Sequence, residues 1–224
     1  HSLQRLMKLN EARAKANAVS EVRQLEAQFN PHFLFNTLEN IKFMVKLEPE
    51  AAVKMIVSLS SLLRYCINNL MQQVTLAEDW QYTMAYLDII KYRFGHRLSC
   101  KYDVQVDLEQ VCVPKLIMQP ILENAIKYGE AEDGTISLQL AIYAADNMLH
   151  IEVQNAGPGI APEKLAQLHE LLRREDNSTR HIGIYNVHKR LKLLYGADFG
   201  LSIRSKSGEG TTVELRLPLV TKNS

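Results

Sequence analysis

Between residues 3 and 94 the chain holds no glycine and only two prolines, Pro31 and Pro49. A stretch that long without breakers, with apolar residues three and four apart, predicts helix throughout. The first helix opens as a polar, Ala- and Lys/Arg-rich stalk over residues 1–18. Its apolar positions then sharpen to Val19, Val22, Leu25 (or Ala27) and Phe29. Their spacing of about 3.5 residues is that of a coiled-coil seam and points to dimerisation. The helix is expected to continue through Phe33, Leu34, Asn36, Leu38 and Ile41 to about Leu47. A second helix starts with Pro49 at a tolerated first-turn position and carries Val53, Ile56, Leu59, Leu63, Cys66 (or Ile67) and Leu70 on one face. Joined by the short turn Leu47–Glu50, the two form an antiparallel hairpin. Two such hairpins bury their stripes best as a four-helix bundle, hence a homodimer. A third helix opens with Thr75-Leu76-Ala77-Glu78, a capping box, and runs through Tyr82, Tyr86 and Ile89 to about Phe94, where Gly95 ends it.

After Gly95 the texture changes. Short alternating stretches at Cys100–Val106, Thr135–Tyr143, Met148–Gln154, Leu201–Ser205 and Thr211–Leu217 read as strands. Helical stretches interleave with them at Pro114–Tyr128, Pro162–Arg173 and Ile184–Tyr195. This order predicts an α+β chain: the helical hairpin, then an α/β sandwich with one mixed sheet covered by helices on a single face. The boundary is expected near residues 94–99, giving a stalk over 1–18, a helical domain over 19–95 and a sheet domain over 96–220.

Charge and cysteine content narrow the function. The chain has 26 Lys+Arg against 25 Asp+Glu, a formal charge of +1, which argues against nucleic-acid binding through a strongly basic face and against an acidic tail. No apolar run approaches the roughly 18–20 residues of a membrane helix, and the first residues do not read as a signal peptide. The chain opens on His1 without an initiator Met. We read it as a soluble fragment from the cytoplasmic side of a membrane-anchored protein whose membrane segments lie upstream. Cys66, Cys100 and Cys112 are odd in number and lack C-x-x-C spacing, which favours buried thiols in a reducing compartment over a disulfide framework or zinc site.

Three segments have the composition of a chemical site. In Gln28-Phe29-Asn30-Pro31-His32-Phe33-Leu34-Phe35-Asn36, a proline inside a helical run removes a backbone hydrogen bond and kinks the rod, at a cost of about 3 kcal/mol. The imidazole of His32 follows that kink between aromatic rings. Such a histidine either packs at a bend or serves as a nucleophile toward phosphorus, with Asn36 one turn on to orient a ring nitrogen or a water. In Gln119-Pro120-Ile121-Leu122-Glu123-Asn124-Ala125-Ile126-Lys127-Tyr128-Gly129, apolar Ile121, Leu122, Ala125 and Ile126 can face a sheet. Asn124 and Lys127 then stand side by side at i and i+3. A hard-cation ligand beside an ammonium suits a Mg²⁺-bound polyphosphate; an amphipathic helix with a polar rim is the plainer reading. The third segment, Val153-Gln154-Asn155-Ala156-Gly157-Pro158-Gly159, ends a strand in a glycine turn. A polar stretch with Arg173, Arg174 and Arg180 follows, then His181-Ile182-Gly183. Together these could form a lid over phosphates, although each glycine alone marks only a turn. Gly208-Glu209-Gly210-Thr211 reads as the hairpin between the last two strands.

In order, these blocks resemble the LytS/YesM class of sensor histidine kinases. Asn30-Pro31-His32-Phe33-Leu34-Phe35-Asn36 is similar to that class's phosphoacceptor motif. Leu59–Tyr65, Val74–Glu78 and Tyr86–Phe94 are similar to the rest of its dimerisation region, Val113–Gly129 to its N box, and Ile182–Gly196 to its second glycine box. The resemblance spans about residues 25–218. It implies a phosphotransfer hairpin followed by a GHKL-type (Bergerat) ATP-binding domain. By the same resemblance His32 is the phosphorylation site, and Asn36 and Glu123 join it in catalysis, Glu123 as a polarising or base-like group. Asn124 would ligate Mg²⁺, Lys127 would contact phosphate and Tyr128 would border the nucleotide. Asn155 would occupy the adenine-reading position, and Gly157, Gly159 and Gly183 would bound the ATP lid. Asn186 would start the helix after the lid, and Arg180 and Thr211 complete the ATP set. The implied partners are a response regulator with an acceptor Asp and a second copy of the chain.

Two positions depart from the family pattern. Asn155 stands where the D-x-G-x-G box has Asp, so the charge is gone; charge-assisted hydrogen bonds are about twice as strong as neutral ones. His181 stands where the second box has its first Gly. The leading expectation is an ATP-dependent histidine kinase fragment. Its rivals are a nucleotide-weak dimeric scaffold or phosphatase partner of a response regulator, and a GHKL ATPase coupling hydrolysis to dimer closure.

Overall fold

The computed structural model describes residues 31–67, 73–173 and 182–222, with the side chains of Pro31, His32, Ile67 and Ile182 outside the description. The expected seam at Val19–Phe29, the bend preceding His32, and Leu70, Arg174, Arg180 and His181 lie outside the described residues. The chain divides into two compact units, His1–Leu70 and Met71–Ser224.

In the first unit, helices α1 (Pro31–Leu47) and α2 (Pro49–Ile67) form a hairpin with only Glu48 between them. The Glu48 amide closes the last turn of α1 on the Met44 carbonyl at 2.8 Å, and the Glu48 carbonyl receives the Ala52 amide at 3.1 Å. The face that α2 buries differs from the expected one. Ala51, Ala52, Met55, Leu59, Leu62 and Cys66 are inside, whereas Val53 and Ile56 are 59% and 48% exposed. The apolar residues of α2 cover two sides of the helix, and packing against α1 satisfies one of them. The other remains open together with Phe35, Leu38 and Phe43 of α1.

The second unit begins with strand β1 (Gln73–Thr75) and helix α3 (Leu76–Phe94). The capping box forms as expected. Thr75 Oγ1 accepts from the Glu78 amide at 3.2 Å, and the Glu78 carboxylate accepts from the Thr75 amide at 2.9 Å. Gly95, at φ +57°, stops the helix. By compactness the chain divides at Leu70/Met71, and α3 packs within the second unit.

A five-stranded mixed sheet follows, ordered β2 (Leu98–Val104), β4 (Ile136–Ala145), β5 (Met148–Asn155), β7 (Gly210–Pro218) and β6 (Gly200–Lys206). Only the β2–β4 pair is parallel. Alternate residues of these strands, such as Leu140, Ile151 and Leu215, are buried on the side covered by α4 (Gln119–Tyr128) and α6 (Ile182–Tyr195). Helix α5 (Pro162–Arg173) packs against β6 and α6. A second sheet, β1, β3 (Val111–Pro114) and β8 (Val220–Thr221), was not expected. Strands of two to four residues are too short to show a period.

Helix α4 starts at Gln119 and not at Pro114, and α6 starts at Ile182, so Asn186 is its fifth residue and not its first. Among the described residues no helix is long and apolar enough to cross a membrane.

Candidate functional site

The site is organised around α4, whose entry is fixed by two neighbouring helices. The fully buried Asp79 carboxylate on α3 accepts the Leu116 amide at 2.7 Å and the Met118 amide at 3.4 Å. Arg190 on α6 donates to the Lys115 carbonyl at 2.7 Å. Between these clamps Leu116 adopts φ +59°, a conformation that costs a branched residue roughly 1 kcal/mol or more. Residues 115–118 thus form a strained, tightly held turn, and the helix begins only after it.

On α4 itself Ile121, Leu122, Ala125 and Ile126 are buried, as their spacing predicts. Glu123 and Asn124 are half-buried, and Lys127 and Tyr128 are exposed at the C-terminal end. The Lys127 ammonium lies 5.1 Å from the centre of the Tyr128 ring. Burial pushes the Glu123 carboxyl above its ordinary value, and a hydrogen bond from Gln119 pulls it back down. Gln119 Nε2 donates to Glu123 Oε1 at 2.7 Å, while Gln119 Oε1 accepts from the Tyr82 hydroxyl of α3 at 2.6 Å.

At the end of β5, Asn155 is 4% exposed and both polar atoms of its amide are hydrogen-bonded. Nδ2 donates to the Ala125 carbonyl of α4 at 3.2 Å. Oδ1 accepts from the Gly157 amide at 3.3 Å and from the Thr211 amide at 3.2 Å. Two amide donors meet one atom and a carbonyl acceptor meets the other, so the amide has a single possible orientation. Asn155 thereby ties α4, the glycine turn and β7 together. The contact is close: a Cβ on Gly157 would sit 2.7 Å from Gly129 Cα, so neither glycine tolerates a side chain. Gly159 lies at φ +72° with a built Cβ only 2.1 Å from the Lys206 carbonyl, which pins the turn to the β6–β7 hairpin. Gly183, exposed in the first turn of α6, is different. Its φ is not positive, and a Cβ there would touch Pro120 at an ordinary 3.6 Å.

The structure therefore brings Asn155, Gly157 and Thr211 together beside α4 and displays Asn124 and Lys127 on the same helix, away from the sheet. Asn186 is exposed on α6. In the first unit Asn36 is half-buried one turn after His32 on α1. Sequence reasoning missed Gln119, Tyr82 and Asp79. Gln119 was detectable as the i, i+4 partner of Glu123. Nothing local links Tyr82 or Asp79 to residues 37 positions away.

Comparison with known proteins adds the family context. Residues 20–98 match the histidine kinase family model. Residues 113–221 match the model of the histidine kinase-, DNA gyrase B- and HSP90-like ATPases. An uncharacterised sensor-like histidine kinase of Staphylococcus epidermidis is 32% identical over 200 residues, covering 89% of this chain and 39% of that protein. The sensor protein kinase HptS of Staphylococcus aureus is 32% identical over 206 residues, covering 91% of this chain and 39% of HptS. The chain thus spans about two fifths of these curated relatives. Two nucleotide-free crystal forms of the catalytic domain of histidine kinase ThkA superpose with TM-scores of 0.52 and 0.51 at 14% and 13% identity. They cover 66% and 67% of this chain and 97% of theirs, and at that identity they speak to the fold alone.

Proposed function

We propose that this chain, which carries a histidine kinase domain and a histidine kinase-, DNA gyrase B- and HSP90-like ATPase domain and whose relatives are sensor histidine kinases, is the autophosphorylating portion of a two-component kinase of the LytS/YesM class. Residues 19–95 would serve dimerisation and phosphotransfer, and residues 96–220 would bind ATP. The observation that carries the reading is the meeting of Asn155, Gly157 and Thr211 with α4, the helix that also carries Glu123, Asn124 and Lys127.

In this reading a ring nitrogen of His32 bonds to the γ-phosphorus of ATP as the bond from that phosphorus to the bridging oxygen breaks and ADP leaves. The proton that the imidazole releases passes to solvent, and Glu123, beside Asn124, would act as a polarising or base-like group. Lys127 neutralises phosphate charge, and Asn36 orients the imidazole. The donor set suits Mg²⁺: Asn124 offers one neutral amide oxygen, and Mg²⁺ keeps most of its shell as water and phosphate oxygen. Bound there, the ion would supply positive charge to the phosphates. Phosphoryl transfer needs little from a protein beyond such positioning and neutralisation. The phosphohistidine then passes its group to an Asp of a response regulator, because the P–N bond is labile.

Incubation with γ-labelled ATP and Mg²⁺ tests the reading. We expect acid-labile label on the wild-type chain and none on His32→Ala; label persisting in that variant would defeat the assignment. One observation favours the scaffold or phosphatase alternative. Asn155 carries no charge, and its amide oxygen already accepts two backbone amides, so adenine recognition there would be weaker than a carboxylate would give. Calorimetry separates the two: no heat of binding up to millimolar ATP with Mg²⁺ would select the scaffold.

A further inference from the structure

We propose that Asp79 is a positioning residue of the nucleotide site. From α3 it fixes where α4 begins, and with that the place of Asn124 and Lys127; the proposal rests on the ATP-binding reading above.

Helix α4 has no cap of its own. Met118 stands at its cap position in helical conformation without a side-chain bond, and Pro120 brings no amide to the first turn. The amides just ahead of the helix turn instead to the carboxylate of Asp79, 37 and 39 positions earlier, Leu116 at 2.7 Å and Met118 at 3.4 Å. Asp79 is fully buried, so water does not compete for either bond. It is also firmly placed. The capping box closes the turn in which it lies, the Ala77 amide donates to the Leu108 carbonyl at 2.9 Å, and Thr83 Oγ1 donates to the Asp79 carbonyl at 2.8 Å.

The grip acts on one peptide group. Arg190 of α6 donates to the Lys115 carbonyl at 2.7 Å, and the amide of that same peptide unit, the Leu116 N–H, donates to Asp79. Because a peptide unit is planar, holding both its oxygen and its N–H fixes its plane. Leu116 then takes φ +59°, a conformation its branched side chain disfavours. Without Asp79 the turn is free to relax toward negative φ, and the start of α4 shifts with it. A helix turns about 100° and rises about 1.5 Å per residue, so a shift of one residue swings Asn124 and Lys127 off their face.

The other restraints on α4 do not replace this one. Its apolar residues Ile121, Leu122, Ala125 and Ile126 set which side is buried, but burial is non-directional and tolerates sliding along the axis. Asn155 holds the Ala125 carbonyl at 3.2 Å, a single point toward the far end of the helix. Asp79 supplies the point at the start. It does so from within the histidine kinase family match, residues 20–98, whereas α4 lies in the ATPase match, residues 113–221.

The test uses the full chain as wild type, Asp79→Asn, Asp79→Ala and Ile203→Ala. Ile203 is buried on β6, and its truncation is a control that lowers stability by leaving a cavity away from the site. One readout is the ATP dependence of autophosphorylation with Mg²⁺; the other is the ¹H–¹⁵N spectrum of the α4 amides without nucleotide. In Asp79→Ala the ATP concentration at half-maximal rate is expected to rise about tenfold, with the maximal rate within about twofold of wild type, because saturating nucleotide draws α4 back into place. Asp79→Asn keeps one acceptor oxygen and should fall between, and it decides alone if Asp79→Ala does not fold. The α4 amide signals should move in the Asp79 variants and stay in place in Ile203→Ala, since native-state shifts do not report stability. Unmoved α4 signals in the Asp79 variants, an equal rise in Ile203→Ala, or a loss confined to the maximal rate would overturn the proposal. Absence of phosphorylation in the wild type would instead defeat the kinase reading, and the α4 spectra would still decide the clamp.

Discussion

Asn155 shows how one side chain can tie three elements together. In the family pattern a carboxylate stands here, and from sequence the replacement reads as a simple loss of charge. In the fold the amide does something a carboxylate cannot: its NH₂ donates to the Ala125 carbonyl while its oxygen gathers two backbone amides. Asn155→Asp would turn that donor into a second oxygen facing a buried carbonyl. We expect a loss of about 2 kcal/mol near neutral pH. The repulsion raises the folded-state pKa of the new carboxyl, so the unfolded chain ionises first. The loss is therefore full above that folded value and shrinks as acid protonates the group and restores a donor. Urea unfolding at two pH values measures this; an Asp variant as stable as wild type at neutral pH would sink it. His188 gives the opposite slope. Its Nδ1 accepts the Leu201 amide at 3.0 Å, which requires a neutral ring, and burial together with Lys192 lowers it below the usual 6.5. The folded chain takes up a proton later than the unfolded chain, so stability is fully present above about 6.5 and falls as the pH drops toward the folded value. His188→Gln, which keeps an acceptor, should flatten the unfolding free energy across that interval.

Among the elements, α3 carries the most tertiary information. Its start and stop are local matters, a capping box at Thr75 and Glu78 and a glycine at 95, and both were readable. Its purpose was not. Asp79 looks like an ordinary first-turn acid that favours the helix dipole. Folded, it is fully buried and holds the turn that launches α4, against the positive φ of Leu116. Removing the carboxylate leaves the Leu116 amide without its acceptor and the turn without its clamp. Asp79→Ala should therefore cost about 2–3 kcal/mol, well beyond the loss of a helix-dipole interaction. A midpoint shift worth less than about 1 kcal/mol in chemical denaturation would show that the clamp is dispensable. The second helix teaches a related lesson. Its helical period was identified, yet Ala51, Ala52, Met55 and Leu62 were left off the expected buried face, because a helix with two apolar sides does not announce which one its nearest neighbour will take.

For the whole molecule, the exposed apolar set of the hairpin is the feature a lone chain does not explain. Phe35, Phe43, Leu47, Val53, Ile56 and Val57 face outward on two adjacent helices, a density of apolar surface that normally marks an interface. A homodimer through this surface, as the kinase reading proposes, would account for it. Because Phe43 is 65% exposed, Phe43→Glu should leave the hairpin's own packing nearly unchanged while weakening self-association by tenfold or more. Sedimentation equilibrium on wild type and variant gives the answer; equal dimer content in both would remove this face from the interface.

The sequence alone determined the longer elements and the order of the chemical blocks. Helix periodicity, the capping box, the glycine stop and the alternating strands are written in neighbouring residues, where backbone sterics and burial act over a few positions. It also carried the family resemblance, through Val113–Gly129 and its companion blocks. Only the tertiary structure decided which apolar face of α2 is buried, that α3 belongs with the sheet, and that Tyr82, Gln119 and Glu123 are joined by hydrogen bonds. Those outcomes depend on contacts between residues tens of positions apart, and such contacts leave no period, spacing or local propensity in the chain.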